Sequence, residues 1–259
     1  MKSVSEVLTT VIMIAIVLTV GLTIAYFAIT TIGNAVAIAS YELSVNAFTT
    51  LASNYDLIVN GGSYMVDFPE RDIGLGYNLT GWRFEVIITI GTENITILND
   101  SSIYEVYLKA PAAAGARESI LYGSGELIVD TPSLLPVLVE HYILGKGQYV
   151  IFNTTRISVF KASYRQNNNM NTTILYIVYS DITPTVLGGA SAKRLKLALV
   201  GMDSNETTVQ ITEKTTITIT ATVYDKEGKA VQREKVSLAM ENTVLEIYYK
   251  ELKVQAVIS

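Results

Sequence analysis

The chain opens with MKSVSEVLTTVIMIAIVLTVGLTIAYFAITTIGNAVAIAS (residues 1–40), and no charged side chain lies between Glu6 and Glu42. A membrane-spanning helix needs about 20 predominantly apolar residues, so this run is long enough to cross a bilayer. No Pro interrupts it, and its polar residues are mainly Thr, whose hydroxyl can bond back to a helix carbonyl. The stretch therefore predicts one long apolar helix that continues to about Ser53.

The two halves of this helix differ in pattern. The first half is apolar on every side, which predicts burial all round, in lipid or among other helices. The second half places Leu43, Ala47 and Leu51 at four-residue spacing, a stripe suited to packing against a globular domain. At 1.5 Å per residue the helix would extend roughly 70 Å. That is far more than the roughly 30 Å hydrocarbon core of a bilayer.

The residues before the apolar run carry a second signal. The pattern K-S-V-S-E-V-L, followed at once by an uninterrupted helix, resembles the class III signal peptide of archaeal type IV pilins and archaellins. In that family a prepilin peptidase removes a short basic leader, and the helix stays on the subunit and packs in the filament core. The resemblance implies that Lys2 and Ser3 belong to the leader and that Val4 is the first mature residue. It also implies that Glu6 pairs with the N-terminal amine of a neighbouring subunit during assembly.

Other interpretations of the N-terminus remain open. The helix would also serve as a signal anchor that attaches a single ectodomain to the membrane. A long secretory signal cut near Ala37-Ile38-Ala39 is a third possibility, because the small-residue pattern there is acceptable. Glu6 has an alternative role as well, since an acidic residue in a first helical turn interacts favourably with the helix dipole.

The composition beyond the helix favours strands. The chain is 49% hydrophobic and 17% charged, whereas about a quarter of the residues are charged in typical soluble domains. Ile, Val, Thr and Tyr, which are strand formers, are abundant after residue 54. The net charge is −5 without a block of Lys or Arg, so nucleic acid is not expected as a partner. The absence of Cys excludes disulfides and thiolate metal sites.

Asn-X-Ser/Thr triplets are frequent beyond the helix. A Thr-rich sequence produces some of them by chance, but their number favours an exported, glycosylated surface. The predicted acceptors are Asn78, Asn94, Asn99, Asn153, Asn171 and Asn205.

After the helix, short apolar runs alternate with turn residues at a spacing of about ten residues, as in β-sandwiches. The predicted fold class is a long N-terminal α-helix followed by an all-β region of one or two Ig-like β-sandwich domains. We predict three segments: a leader and hydrophobic helix (1–54), a β-sandwich (55–187) and a C-terminal Ig-like domain (188–259), with a linker near Gly188-Gly189. The run TTITITATVYDKEGKAVQREKVSLAM (residues 215–240) is similar to a hairpin of bacterial Ig-like modules.

Several local predictions accompany this division. Residues 56–59 are expected to form a short strand, and residues 203–206 an oxygen-rich turn between two strands. Residues 243–249 and 252–258 are expected to form separate strands. Trp82, the only tryptophan, is expected to be a core anchor, with a ligand-binding platform as the alternative.

The sequence predicts no catalytic, cofactor or metal site, and we do not expect an enzyme. His141 is the only histidine and lies in an apolar strand pattern, which favours a structural role. Asp67, Glu70 and Asp72 surround Pro69. This group and residues 203–206 offer oxygen atoms to Ca²⁺, but neither has specific loop spacing, so both are expected to be solvated turns.

The predicted function is that of a structural subunit of an archaeal type IV pilus-like adhesion filament. Hydrophobic helices would pack in the core, and glycosylated β-domains would lie outside. The expected partners are identical subunits, prepilin peptidase, the pilus assembly machinery and, before assembly, the membrane. The expected location is the cell surface. The alternative is a monomeric, membrane-anchored extracellular binding protein, such as an archaellum accessory protein or an S-layer-associated ectodomain.

Overall fold

The computed structural model describes residues 2–68, 73–111, 117–130, 137–145, 147–165, 171–187 and 193–259. The predicted long helix is confirmed as α1 (Lys2–Ser53), which is followed by the short helix α2 (Tyr55–Val59). The strand predicted for residues 56–59 is therefore wrong. Tyr55, Ile58 and Val59 are buried at helical spacing, so a turn of helix covers the core better than a strand would.

Strands make up the rest of the described chain, so the predicted fold class of one long helix and an all-β region is confirmed. They are β1 (Ser63–Asp67), β2 (Gly74–Leu79), β3 (Arg83–Ile90), β4 (Glu93–Asp100), β5 (Tyr104–Pro111), β6 (Ser119–Tyr122), β7 (Ile128–Val129), β8 (Leu138–Leu144), β9 (Gly147–Asn153), β10 (Ile157–Arg165), β11 (Asn171–Val186), β12 (Arg194–Ile211), β13 (Thr215–Tyr224), β14 (Ala230–Met240) and β15 (Thr243–Ile258).

These strands form three sheets. The central sheet has the order β1-β12-β15-β11-β10-β7. The helix sheet, which packs against α1, has the order β2-β5-β9-β8-β6, and the outer sheet has the order β14-β13-β3-β4. The β11/β15 and β7/β10 pairs are parallel, and the other pairs are antiparallel.

The sheet topology does not follow the predicted division into segments 55–187 and 188–259. Strands β12 and β15 pair with β1 and β11 in the central sheet, and β13 pairs with β3 in the outer sheet. The C-terminal segment thus contributes strands to two of the three sheets instead of forming its own sandwich. The predicted linker near Gly188-Gly189 lies outside the described residues.

Three strands of the central sheet are long, and two of them, β12 and β15, are longer than predicted. Strand β12 has 18 residues, and β11 and β15 have 16 each. The turn predicted for residues 203–206 is wrong, because these residues pair along the middle of β12 with β15. They are exposed there, which explains their polar composition. A bulge between Leu199 and Gly201 adjusts the register of β12.

The central sheet is covered on different faces at its two ends. In β15 the odd-numbered residues are buried from Thr243 to Tyr249, and the even-numbered ones from Leu252 to Ile258. Successive strand residues point to opposite faces, so the buried face changes near Lys250. One end packs against the outer sheet, in a core with Phe84, Ile88, Ile217 and Ile219. The other end packs against α1, α2 and the helix sheet, in a core with Phe48, Leu51, Tyr55 and Ile58.

Helix α1 is anchored in the second of these cores. The Phe48 ring lies edge-on to Phe68 and Phe152, with centroid distances of 6.5 Å and 5.9 Å. The buried Tyr55 hydroxyl is 2.6 Å from Ser180 Oγ on β11, in a hydrogen bond between two buried groups. The C-terminal third of α1 is therefore part of the β-structure's own core.

Candidate functional site

The N-terminal part of α1 extends from the β-structure as an exposed apolar rod, defined here as residues 8–36. The large apolar side chains along it, from Leu8 to Val36, are 37–72% exposed. At 1.5 Å per residue the rod is roughly 43 Å long. The span Leu8–Ser53 has the length and composition of a membrane-crossing helix. Because the rod is apolar on all sides, water is an unfavourable environment for its whole circumference.

The threonine hydroxyls of the rod suit an apolar surrounding. Thr19, Thr23 and Thr30 each donate a 2.8 Å hydrogen bond to the backbone carbonyl four residues earlier. A hydroxyl that is bonded within its own helix costs much less to transfer out of water than a free one. The rod can therefore be enclosed by lipid or by other helices without leaving these donors unsatisfied.

The rod ends where α1 first touches the sheets. Ala37, Ser40 and Ser44 are buried, and the Tyr41 ring lies 4.7 Å from the His141 ring. His141 is itself buried, and its Nδ1 lies 2.6 Å from the carbonyl oxygen of Arg117. The only histidine of the chain thus packs at the junction between α1 and the helix sheet.

The residues of the predicted leader lie at the start of α1. Lys2, Ser3, Val4 and Glu6 are in helical backbone, and their side chains lie outside the described residues. Cleavage before Val4 and charge pairing by Glu6 stay predictions.

The predicted glycosylation sites differ in accessibility. Asn153 is only half-exposed, and its Nδ2 donates a 3.3 Å hydrogen bond to Glu105 Oε1. Its Oδ1 accepts a 2.6 Å hydrogen bond from the backbone N–H of Thr155. A glycan is attached through Nδ2, so these contacts favour the other sites over Asn153. The exposed acceptors are Asn78, Asn94, Asn99, Asn171 and Asn205.

The acidic groups singled out in the sequence form exposed ion pairs where they are described. Asp67 Oδ1 lies 2.6 Å from Arg194 Nε, and Asp203 Oδ2 lies 2.5 Å from Lys253 Nζ. Glu70 and Asp72 lie outside the described residues. Within the described part of the chain, no three His, Asp or Glu side chains are grouped so as to hold a metal ion.

Trp82 is not the core anchor that the sequence predicts. Its side chain is 38% exposed and lines a cavity of about 520 Å³ between the helix sheet and the outer sheet. Glu105, Glu140 and Arg156 line the same cavity. The sequence of β5 and β8 gives a weak indication of a polar outer face, because Glu105 and Glu140 each lie next to a buried valine. The sequence does not show that these strands meet β13 and β14 there.

Burial perturbs the charged groups of this cavity. It raises the pKa of the Glu105 carboxyl to about 7, and the nearby Glu140 carboxylate adds to the increase. Burial also raises the pKa of Glu140, although the Arg156 guanidinium opposes that change. The pKa of Arg156 is lowered to about 10 by burial, against the attraction of Glu140 and Glu234.

We expect Glu105→Gln to stabilise the protein at pH 8. The folded-state pKa of about 7 lies above the ordinary value. The native state therefore binds this proton more tightly than the unfolded chain. The stabilisation that comes from this bound proton is present at low pH and is lost as the pH rises from about 4.3 to the folded-state pKa. The free energy of unfolding of the variant should be about 1–3 kcal/mol higher than that of the parent at pH 8. The difference between the two should vanish near pH 4.5.

Denaturant titrations followed by circular dichroism in detergent would measure this difference. The control is Glu227→Gln, at an exposed position on the β13–β14 turn. If Glu105→Gln and Glu227→Gln have the same pH profile, the burial of Glu105 does not destabilise its charged form.

The fold and the apolar rod together define a class: a sheet-rich protein carried on a single N-terminal apolar helix long enough to cross a membrane. Comparison of the chain with protein-family models, curated proteins and solved structures finds no match in any of the three.

Proposed function

We propose that the protein is a structural subunit of an extracellular filament whose core is built from the apolar rods of many copies. The observation that carries this proposal is the exposed rod of residues 8–36, which is apolar around its whole circumference. Its length of roughly 43 Å exceeds the roughly 30 Å hydrocarbon core of a bilayer. Rods that leave the membrane can avoid water only by packing against one another.

The N-terminal sequence supports a specific route to this assembly. The residues K-S-V-S-E-V-L resemble the leader and cleavage region of archaeal type IV pilins. Prepilin peptidase would cut before Val4, and the pilus machinery would then transfer the subunit from the membrane to the filament. The β-structure would lie on the outside, where glycans on the exposed Asn residues would meet solvent and mediate adhesion.

The continuity of α1 also supports a load-bearing role. One unbroken helix runs from the rod into the core that contains Phe48 and Leu51. The rod and the β-structure are thus joined by packed helix and not by a flexible linker. A force applied to the β-structure would be transmitted directly to the rod.

The alternative is a single-copy membrane anchor. The length and composition of the helix support this as well, since one span of about 20 residues is enough to hold an ectodomain. Shearing cells in the absence of detergent separates the two functions. A filament subunit appears in the sheared fraction as fibres, and its intact mass shows removal of the leader. An anchor stays in the membrane fraction with its N-terminus intact, and that result would reject the filament.

We expect Glu6→Ala to reduce filament yield several-fold without reducing membrane insertion. The carboxylate would pair with the N-terminal amine of a neighbouring rod, and an ion pair surrounded by apolar helices is costly to leave half-formed. Electron microscopy of sheared material and immunoblots of membranes measure the two quantities. Glu42→Ala, at the exposed acidic residue nearest the other end of the charge-free run, is the control. Equal yields from both variants would exclude the pairing role of Glu6.

A further inference from the structure

The outer face of the helix sheet, opposite α1, carries a groove made of two adjoining cavities. The larger, about 520 Å³, lies between the helix sheet and the outer sheet. The smaller, about 350 Å³, continues across β5, β8 and β9 to Tyr77. Glu105, Tyr142 and Ile151 line both, so the cavities form one trough. Each volume falls within or near the range of about 300–1,000 Å³ that is typical of ligand sites.

The larger cavity contains a buried donor without a partner. Arg156 is 4% exposed, and its Nη1 donates a hydrogen bond to the carbonyl of Ser124. Its buried Nε has no hydrogen-bond partner among the described residues. A buried N–H that lacks an acceptor is unfavourable, so the hydrogen-bonding capacity of this cavity-lining guanidinium is not filled by the described residues.

Two acidic side chains, together with amide and hydroxyl groups, supply the other polar lining of the groove. Glu105 and Glu140 present carboxyl groups from β5 and β8, the two strands that flank β9 in the helix sheet. Gln232 extends the polar lining from the outer sheet, where its Nε2 donates to the carbonyl of Gly125 at 2.8 Å. The groove thus combines one cationic donor, directly before β10, with two acidic acceptors on β5 and β8.

Aromatic rings supply the apolar part of the groove. Trp82, Tyr142 and Tyr77 are 38%, 45% and 43% exposed, and they are distributed along its length. Such rings combine an apolar face with a polar edge, and they leave an apolar surface available at the entrance.

We propose that this groove binds a neutral oligosaccharide. Sugar hydroxyls both donate and accept hydrogen bonds, so they can satisfy Arg156 and the two carboxylates together. An anionic ligand would be repelled by Glu105 and Glu140, and a cationic one would compete with the Arg156 guanidinium for Glu140. The C–H faces of pyranose rings are apolar and can lie against the exposed aromatic rings. The groove lies on the β-structure away from the rod, so this proposal and the filament proposal can fail independently.

The single tryptophan makes the test specific to the site. Purified full-length protein in detergent would be titrated with cellobiose, maltotriose, mannobiose and diacetylchitobiose, with Trp82 fluorescence as the signal. We expect a saturable change with at least one of them, at micromolar to low millimolar concentration. Tyr142→Ala and Glu140→Gln should each weaken binding at least tenfold. Tyr122→Ala is the matched control, because Tyr122 is 40% exposed but lines neither cavity.

Several results would overturn the assignment. The first is the absence of a saturable change with all four sugars up to about 10 mM. A second is binding that survives in both groove variants. A third is tighter binding of an oligogalacturonate or a chitosan oligomer, since the groove would then select a charge. Groove variants that abolish self-association, in protein that binds no sugar, would assign the face to a second copy of the chain.

Discussion

Deletion of residues 1–36 is expected to give a soluble, monomeric protein with an intact β-structure. The deletion removes the exposed apolar rod, whose side chains contribute nothing to the two cores. It retains Phe48, Leu51 and Tyr55, which close the core beneath the helix sheet. Sedimentation in detergent-free buffer should show one copy, and thermal unfolding followed by circular dichroism should be cooperative. No filaments and no membrane-bound fraction are expected.

A longer deletion provides the control. Removal of residues 1–59 also takes away Phe48, Leu51, Tyr55 and Ile58, each at most 1% exposed. Truncation of one such side chain to Ala costs about 2–5 kcal/mol. Their combined loss, about 8–20 kcal/mol, is as large as the roughly 5–15 kcal/mol by which domains are stable. This variant should be unfolded. If the 1–36 deletion is equally unfolded, the rod is part of the fold; if it still forms filaments, the rod is not the assembly surface.

The helix was predictable because one simple property decides it. A run from Val7 to Tyr41 without a charged residue is stable only where water is excluded, as a helix that is buried in protein or inserted in a membrane. Strands β3 and β13 were predictable for a similar reason, since apolar residues recur at every second position along them. Each signal is local, and no knowledge of partners is needed to interpret it.

The long strands were not predictable, because their middles lie where the coverage of the central sheet changes face. At Lys250 and Glu251 neither core covers β15 fully, and residues 203–206 of the paired strand β12 are exposed. A polar segment between two apolar ones is typical of a turn, so the sequence pattern divides β12 and β15 into two strands each. The same effect explains the predicted domain boundary, since two cores on one sheet resemble two domains in the sequence.

The groove could not be predicted from the sequence for a different reason. Trp82, Glu105, Glu140 and Arg156 belong to separate segments of the chain, and Glu105 and Glu140 come together only because β5 and β8 both pair with β9. A lone tryptophan is most often part of a core, and isolated glutamates on strands are most often solvated. The chemistry of the groove depends on which strands are neighbours, and strand order is not encoded in local composition.

Phe48→Ala is expected to be the most destabilising single substitution on α1. The ring is 0% exposed and contacts Phe68 and Phe152 edge-on, so its removal leaves a cavity where the helix joins the helix sheet. Loss of a buried Phe costs about 3–5 kcal/mol. For a chain of this size each kcal/mol lowers the Tm by roughly 2–4 °C. The Tm of the full chain in detergent should therefore fall by about 6–20 °C.

Phe27→Ala removes the same ring from the same helix and is the matched control. Phe27 is 64% exposed on the rod, where it touches neither core. Its removal should leave the free energy of unfolding within about 0.5 kcal/mol of the parent, as is usual for surface positions. The two variants should affect sheared material in different ways. Phe27→Ala should weaken filaments of well-folded subunits, because a ring is lost from the packed rods, whereas Phe48→Ala should lower the amount of folded subunit.

If Phe27→Ala lowers the Tm as much as Phe48→Ala does, the rod and the anchored third of α1 are one folding unit. Their proposed division of roles would then be wrong.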